Sequence, residues 1–549
     1  GFNGADLHHA PITFIMHRNG IQLSGSNKQI MDKDPRPIIK SMGIEILEIE
    51  SLADARRLYA AYREAYALAQ KGRPSLIYPT GRRCTLRAFG EGFGIGAEVE
   101  KYAKDHGVDP GMDVWIPGSL MSYRDVISMI QCVFLVNGLK GGEGHHDGHM
   151  KGRNEEEVLA NPMLRFNAED QKAVSALEAK PRRTVITTAR PAPGTKNLVL
   201  AQDALKDVKL PAPGKDVSPR AGVEAGYAAV AKAFPDDVFI VSCDLDPSTK
   251  LGKAKSFLKR DHQFEMSIEE QVSAIMANGL ACSSRKPQLV VFSTFSAFFE
   301  GIAREGLEMW RYQRNLNGSN EGLNATFHMS HVGTCTGRDH FSGWSLDWIT
   351  LALGYLPYLD RFYAPSDSSS AFLAVKDLAA HYGAHIIGIP RDNLPVLAKQ
   401  DSDKPLWEAG DAWEPLTVYR RAPGAKKAIL ALGAPAFLAG NAWEALRSEG
   451  VATDVIVVNG LPVPDGTWSK LASQYPGGLV TVEDGIIATP EMGLRGFAGV
   501  VSSATRAAGL PVDHVGIVDP RIAPSEGHIE TWTYFGITAE AIADAVRNL

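Results

Sequence analysis

The stretch SIEEQVSAIMANGLA at residues 267–281, followed by QLVVFSTF at 288–295, decides how the chain folds. In the first, apolar residues recur at helical spacing. The second is a short continuous apolar run, the mark of a strand buried on both faces. A helix feeding a buried strand is the repeating unit of a parallel sheet covered by helices. The same alternation continues outward. Upstream, a helix predicted from Arg220 precedes the strand VFIVSCDL (238–245); downstream come the helix EGIAREGLEMW (300–310) and the strand AHIIGIP (384–390). After the connector APGAKK (422–427) a further series begins, with AILALG (428–433) as a strand, a helix over Leu438–Glu449, and strands at ATDVIVVNG (452–460) and GLVTVEDG (478–485). Near the start, IIKSMGIEILEI (38–49) and PSLIYPTG (74–81) read as strands. They flank a helix at 52–72 whose Leu58, Ala61, Tyr62, Ala65 and Leu68 share a face and which Gly72 stops. The expected fold class is α/β, with three successive parallel-sheet α/β domains. No period of 20–50 residues recurs, which excludes a solenoid.

Composition narrows the function classes. The chain has 549 residues, 57 Lys+Arg against 63 Asp+Glu, and a formal charge of −6. That balance argues against an electrostatic nucleic-acid binder. Hydrophobic residues make up 44% and charged residues 22%, which is globular rather than disordered. Cys84, Cys132, Cys243, Cys282 and Cys335 form no CxxC pair, so neither a disulfide framework nor a structural zinc site is indicated. No run approaches the ~18 apolar residues of a membrane-spanning helix, and no basic-then-apolar leader opens the chain. A soluble cytoplasmic enzyme is the expectation. The chain lacks an initiator Met, and Gly1–Ala10 leads straight into Pro11–Met16, an apolar run that reads as a buried strand. This predicts that more chain precedes the segment; the alternative is a trimmed chain with a complete fold.

Several clusters carry chemistry. GEGFGIGA (90–97) contains G-x-G-x-x-A but lacks a clear preceding strand and a later acidic partner, so a flexible loop is the favoured reading over a dinucleotide site. GGEGHHDGH (141–149) holds three His and one Asp within five residues. A metal site, a glycine-rich loop that lets backbone approach a ligand, and a solvated loop are its three readings. Ser267 and Glu270 have the spacing of a capping box; alternatively, Glu270 is a carboxylate at a helix start facing a heteroaromatic nitrogen. Phe295, Phe298 and Phe299 just beyond a buried strand are either core or a flat pocket for a ring. Arg220 at a helix start and Arg391 after a strand are surface residues or ligand contacts at the carboxyl ends of the strands, where open α/β sheets bind their ligands.

Taken in order, these pieces resemble the transketolase-type thiamine diphosphate enzymes over nearly the whole chain. HRNGIQLSG (17–25) resembles the end of the family's metal/diphosphate motif. GHHDGH (144–149) resembles G-T-H-D-S-H, and SPRAGV (218–223) resembles T-R-K-A-S. SCDLDPSTK (242–250) resembles S-A-D-L-A-P-S-N, SIEEQ (267–271) the glutamate motif, and FSTFSAFF (292–299) the aromatic pocket. HVGTCTGRDHFSG (331–343) lies where the family has substrate-facing histidines, and IPRDNL (389–394) resembles S-R-Q-N-L. Three stretches depart from the pattern. The upstream G-D-G is not among these residues, residues 84–135 interrupt the path to the His loop, and TCTGRDH lacks the family's Gly-Glu-Asp-Gly.

The resemblance implies two thiamine diphosphate-binding folds plus a C-terminal transketolase domain. Residues 1–155 would be the C-terminal part of the diphosphate-binding domain, with an insertion at about 84–135. A linker at 156–216, a pyrimidine-binding domain at 217–420 and the C-terminal domain at 421–549 would follow. The cofactors implied are thiamine diphosphate and Mg2+ (or Ca2+), with Asn19 and Ile21 as metal and diphosphate ligands. Asp244, Glu270, Phe295 and Phe298 would hold the cofactor. Glu270, His146, His331 and His340 would be catalytic, and Arg220, Ser248 and Arg391 would take the substrate phosphate. The C-terminal domain shows no catalytic set and is expected to pack and support a dimer. The implied activity is transfer of a two-carbon ketol unit between phosphorylated sugars, in a homodimer with active sites at the interface. The alternatives on the same scaffold are deoxyxylulose-phosphate synthesis and a 2-oxoacid dehydrogenase E1-type reaction. In another class, the chain is a non-catalytic or half-site subunit that needs a partner chain or a missing N-terminal segment.

Overall fold

The structure is a computed structural model that describes residues 2–16, 21–22, 25–26, 33–49, 55–79, 197–283, 286–316, 324–334, 345–521 and 526–549, with isolated positions 97, 101 and 179. The loops at 90–97 and 141–149, apart from position 97, and the 84–135 excursion, apart from positions 97 and 101, lie outside the described residues. The chain divides into two compact units, 1–185 and 186–549.

The first unit contains a three-stranded parallel sheet in the order β1-β5-β4, with β1 Thr13–Ile15, β4 Glu45–Ile49 and β5 Ser75–Pro79. The two-residue strands β2 (Ile21–Gln22) and β3 (Gly25–Ser26) pair separately. Helices α1 (Phe2–Leu7), α2 (Arg36–Ser41) and α3 (Ala55–Ala69) accompany the sheet. On one face, Ala61 and Ala65 of α3 pack on Leu47, Ile49 and Ile77; on the other, Ala5, Ile39 and Ile44 pack on Leu76 and Tyr78. Three expectations are corrected here. Residues 36–41 form a helix, not the first half of a strand: Asp34 accepts from Arg36 N–H, Pro37 pre-sets a helical φ, and only Ile39 of the two isoleucines is buried. The strand at 13–15 is not buried throughout, since Ile15 is 42% exposed. Tyr62 faces outward, so the inner stripe of α3 is narrower than the apolar spacing suggested.

The second unit is built on a seven-stranded sheet in the order β17-β11-β12-β10-β9-β7-β8. Its strands are β7 Val238–Ser242, β8 Gln263–Glu265, β9 Leu289–Phe295, β10 Ala325–Ser330, β11 Arg361–Tyr363, β12 His385–Ile389 and β17 Gly460–Leu461. All pair in parallel except β17, which runs antiparallel to β11. A short pair, β6 (Asp216–Val217) with β13 (Leu394–Pro395), lies apart. A five-stranded sheet follows, ordered β14-β16-β15-β18-β19, from β14 Leu416–Arg420, β15 Lys427–Leu432, β16 Thr453–Val458, β18 Gly478–Ile486 and β19 Val512–Ile517.

Helices cover both faces of the seven-stranded sheet. On one face are α4 (Pro219–Ala233) and, later in the chain, the helix Ser368–Ala380. They pack closely because Gly222 lies against the Ser368 carbonyl, where a Cβ would come within 1.8 Å of the oxygen. On the other face are α5 (Glu270–Ser283), α6 (Arg304–Leu316) and α7 (Trp348–Gly354); Ser368–Ala380 is therefore α8. The apolar layer under α4 and α8 continues into the five-stranded sheet through Ile429, Val455 and Val480. The opposite layer continues through Leu430, Ile456 and Leu479. Helices α9 (Ala436–Ser448), α10 (Gly496–Thr505), α11 (His528–Phe535) and α12 (Ala539–Asn548) clad the second sheet.

Candidate active site

Side chains singled out in the sequence gather at one edge of the seven-stranded sheet. Asp244 follows β7 by two residues, Phe295 ends β9, His331 follows β10 and Arg391 follows β12 by two; Glu270 opens α5 shortly after β8. In a parallel sheet all of these are carboxyl ends, the edge where such sheets bind ligands.

Rings form the centre of this edge. The Phe295 ring lies 4.0 Å from that of His331 and stacks on Phe298 at 5.9 Å with an interplanar angle of 19°. Phe295 and His331 are buried and Phe298 is half-buried. The Ser330 hydroxyl is 2.8 Å from His331 Nδ1, and the Ile389 carbonyl accepts from the His331 N–H at 2.8 Å. His331 sits at φ +62, a conformation that an L-residue keeps only when its surroundings demand it.

Glu270 is 97% buried at the first turn of α5, and among the described residues its carboxylate has no hydrogen-bond or ion-pair partner. The capping box is not what buries it: Ser267 lies at φ +59 and uses its carbonyl, which accepts from the Glu269 N–H. Burial pushes the neighbouring Cys243 thiol up to about 12, and the charge of Glu270 adds to that shift. Glu270 therefore lies close to the Cys243–Asp244 step at the end of β7.

Asp244 is exposed and held in the left-handed region at φ +56. Its N–H donates to Glu265, whose other oxygen accepts from the Ser242 hydroxyl at 2.8 Å. The buried Lys255 ammonium donates to Ser242 Oγ and Asp246 Oδ2, each at 2.5 Å, and lies 3.4 Å from Glu265. Burial pushes the Glu265 carboxyl up, but these donors outweigh it and leave the group below the usual carboxylate range. Lys255 and Glu265 were not singled out in the sequence. Glu265 stands two residues before SIEEQ, and that adjacency was its only signal.

The three residues expected to contact a phosphate are linked through Arg220 and Ser218. Arg220 Nη1 donates to the Ser248 carbonyl at 2.8 Å, and its Nε donates to Ser218 Oγ at 3.1 Å. The Ser218 hydroxyl donates in turn to the Arg391 carbonyl at 2.6 Å. Arg220 thus ties the main chain of Ser248 to Ser218, which in turn holds the main chain of Arg391.

The buried carboxyl of Glu270, without a hydrogen-bond or ion-pair partner among the described residues, and the stacked pair Phe295/Phe298 fit the aminopyrimidine of thiamine diphosphate: a carboxyl to hydrogen-bond a ring nitrogen and a flat apolar surface to stack on. Asn19, His146 and His340 lie outside the described residues, and Ile21 lies in β2 of the first unit. Among the described residues, no group of three or more His, Cys, Asp or Glu side chains is arranged to hold a metal ion. Nor is any described helix long and apolar enough to cross a membrane.

No family model matches the chain. Among solved structures, a transketolase from Campylobacter jejuni subsp. jejuni matches with a TM-score of 0.62 at 17% identity, covering 100% of this chain and 74% of its own. A transketolase from Leishmania mexicana matches at 0.61 and 18%, covering 100% and 72%. The fold is that of the transketolases. In sequence, the chain is 26% identical over 352 residues to a 1-deoxy-D-xylulose-5-phosphate synthase of Anaeromyxobacter dehalogenans, 62% of this chain and 51% of the relative. It is 26% identical over 296 residues to Transketolase 2 of Xanthobacter flavus, 52% and 38% respectively. The chain is thus similar in sequence to named 1-deoxy-D-xylulose-5-phosphate synthases and to a transketolase, and it spans about half the length of the synthase it matches.

Proposed function

We propose that the chain carries out thiamine diphosphate-dependent transfer of a two-carbon ketol unit between phosphorylated sugars, with Mg2+ (or Ca2+) on the diphosphate. The observation that carries this reading is Glu270, a buried carboxylate with no partner among the described residues, on the same strand-end edge as the Phe295–Phe298–His331 rings. When bound, thiamine diphosphate supplies the electron sink for the carbanion left by C–C cleavage. The chain's own groups would do the rest. Glu270 would hydrogen-bond the pyrimidine, and Phe295 and Phe298 would stack on it. Asp244 would approach the cofactor from β7, and Asn19 and the Ile21 carbonyl would serve the metal. His331, with His146 and His340, would move protons at sugar oxygens. Arg220, Ser248 and Arg391 would grip the substrate phosphate with charge-assisted hydrogen bonds. We propose a homodimer that shares its sites, or a partner subunit that supplies the upstream metal ligand.

A second reading has its own support. Several sequence relatives are named 1-deoxy-D-xylulose-5-phosphate synthase, and the same groups would serve joining of a 2-oxoacid-derived unit to an aldose phosphate. One experiment separates them. The full chain, supplied with thiamine diphosphate and Mg2+, is given xylulose 5-phosphate with ribose 5-phosphate, or pyruvate with glyceraldehyde 3-phosphate. Sedoheptulose 7-phosphate in the first mixture supports ketol transfer; turnover of pyruvate without any ketose turnover refutes it. A chain that ignores thiamine diphosphate in both is a half-site or non-catalytic subunit.

A further inference from the structure

The five-stranded sheet and its helices hold two of the strand-end loops from outside. Asp484, near the end of β18, is 3% exposed, and its carboxylate holds the turn beyond β10. Its two oxygens accept from Thr334 N–H at 3.1 and 3.3 Å, and Oδ1 accepts from the Thr334 hydroxyl at 3.2 Å. Gly333 makes the approach possible. It lies at φ +61, and a Cβ there would come within 2.2 Å of Asp484 Oδ2. Trp348 Nε1 fixes the Asp484 carbonyl at 3.0 Å, so the carboxylate is aimed by its own backbone. The segment His331–Thr334 is therefore pinned at one end by the Ile389 carbonyl and at the other by Asp484.

The second contact is built the same way. His528 opens α11; its N–H and its Nδ1 both meet Asp392 Oδ2, at 3.0 and 3.1 Å. A helix N-terminus and an imidazole converge on one carboxylate, a favourable place for negative charge. Asp392 directly follows Arg391, whose carbonyl is held by Ser218 on the other side.

We propose that Asp484 and His528 are positioning residues of this site: Asp484 holds the Gly333–Thr334 turn that presents His331, and His528 holds Asp392 and with it the Arg391 loop. A buried carboxylate is an expensive way to join two layers that already share apolar cores. Its value is directional: it dictates where one turn lies. Burial pushes the Asp484 carboxyl up to about 6, against the pull of the nearby Trp532 indole N–H, the donors of Thr334 and the His528 imidazole. The geometric claim stands on these contacts; its consequence for turnover rests on the proposed function.

The test separates the two. In the full chain labelled at histidine Cε1, the His331 resonance is assigned by its loss in His331→Gln. The Phe295 ring at 4.0 Å shifts it upfield. Asp484→Asn keeps an acceptor for the Thr334 N–H and retains the shift, whereas Asp484→Ala loses it. Thr334→Val, which removes one donor, gives a smaller change in the same direction and serves if Asp484→Ala does not fold. An unmoved resonance in both Asp484→Ala and Thr334→Val overturns the role of Asp484, whatever the turnover. A shift lost in a chain whose parent turns over no ketose upholds the positioning and refutes the functional reading instead. With active parent enzyme, Asp484→Ala lowers kcat about tenfold and Asp484→Asn recovers it to within about threefold. His528→Ala raises KM for ribose 5-phosphate about tenfold with kcat held, and His528→Asn restores it. A KM equal to the parent's in His528→Ala overturns the role of His528.

Discussion

Replacing Glu270 with Gln separates the catalytic from the structural meaning of that carboxylate. Gln has nearly the same volume, so the 97% buried site is neither emptied nor overfilled. The carboxyl group has no hydrogen-bond or ion-pair partner among the described residues, so no such contact is lost there. Stability is expected to hold to within about 1 kcal/mol. If Glu270 engages the pyrimidine as proposed, the variant loses positioned acid–base help of about 10²–10⁴-fold. At about 1.4 kcal/mol per factor of ten, that is roughly 3–5 kcal/mol of activation free energy. The assay is steady-state turnover of xylulose 5-phosphate with saturating thiamine diphosphate, paired with urea unfolding of the same preparation. Near-parental turnover removes Glu270 from the mechanism. A stability loss above about 2 kcal/mol would show that the carboxylate is structural after all.

Three further predictions use other parts of the chain. Arg391→Ala raises KM for phosphorylated acceptors with little change for unphosphorylated ones, measured by acceptor kinetics; equal effects on both make Arg391 structural. Gly222→Ala drives a methyl to within 1.8 Å of the Ser368 carbonyl oxygen and 3.0 Å of Phe372 N. It destabilises by about 2 kcal/mol or more in urea unfolding, and an unchanged midpoint contradicts the close crossing of α4 and α8. Glu483 is buried, which pushes its carboxyl up to about 8; the Phe497 and Ala498 N–H groups at the start of α10 oppose the shift and the charge of Asp484 adds to it. The folded state therefore binds this proton more tightly than the unfolded state, where the group titrates near 4.5. The stability it brings is complete below about pH 4.5 and is lost as pH rises to about 8, by at most about 5 kcal/mol. Glu483→Gln should gain on the parent chain across that window, and parallel melting curves from pH 5 to 9 would contradict it.

Short strands rich in polar residues escaped the periodicity. ATFHMS at 325–330 forms the centre of the seven-stranded sheet, but Thr326, His328 and Ser330 interrupt its apolar run. His328 is nevertheless fully buried, stacked on Tyr227 at 5.7 Å, with burial pushing its imidazole down to about 3. The helix at 36–41 was misread for the opposite reason: two adjacent isoleucines fit a strand as well as a helix until it is known that only one is covered.

Residue order alone was enough to predict the repeated helix–strand alternation, and it singled out Asp244, Glu270, Phe295, His331 and Arg391, because each stands in a short stretch of neighbouring positions. The partners that aim those side chains were invisible there. Asp484 reaches Thr334 across 150 residues and His528 reaches Asp392 across 136. Glu265 reaches the Asp244 N–H, and Lys255 reaches Glu265, only once β7 and β8 lie side by side. Such contacts depend on two layers packing at a particular register, a property of the assembled sheets and not of any local stretch. The C-terminal part of the chain, which carries no recognisable catalytic set, holds the loops of the site for that reason.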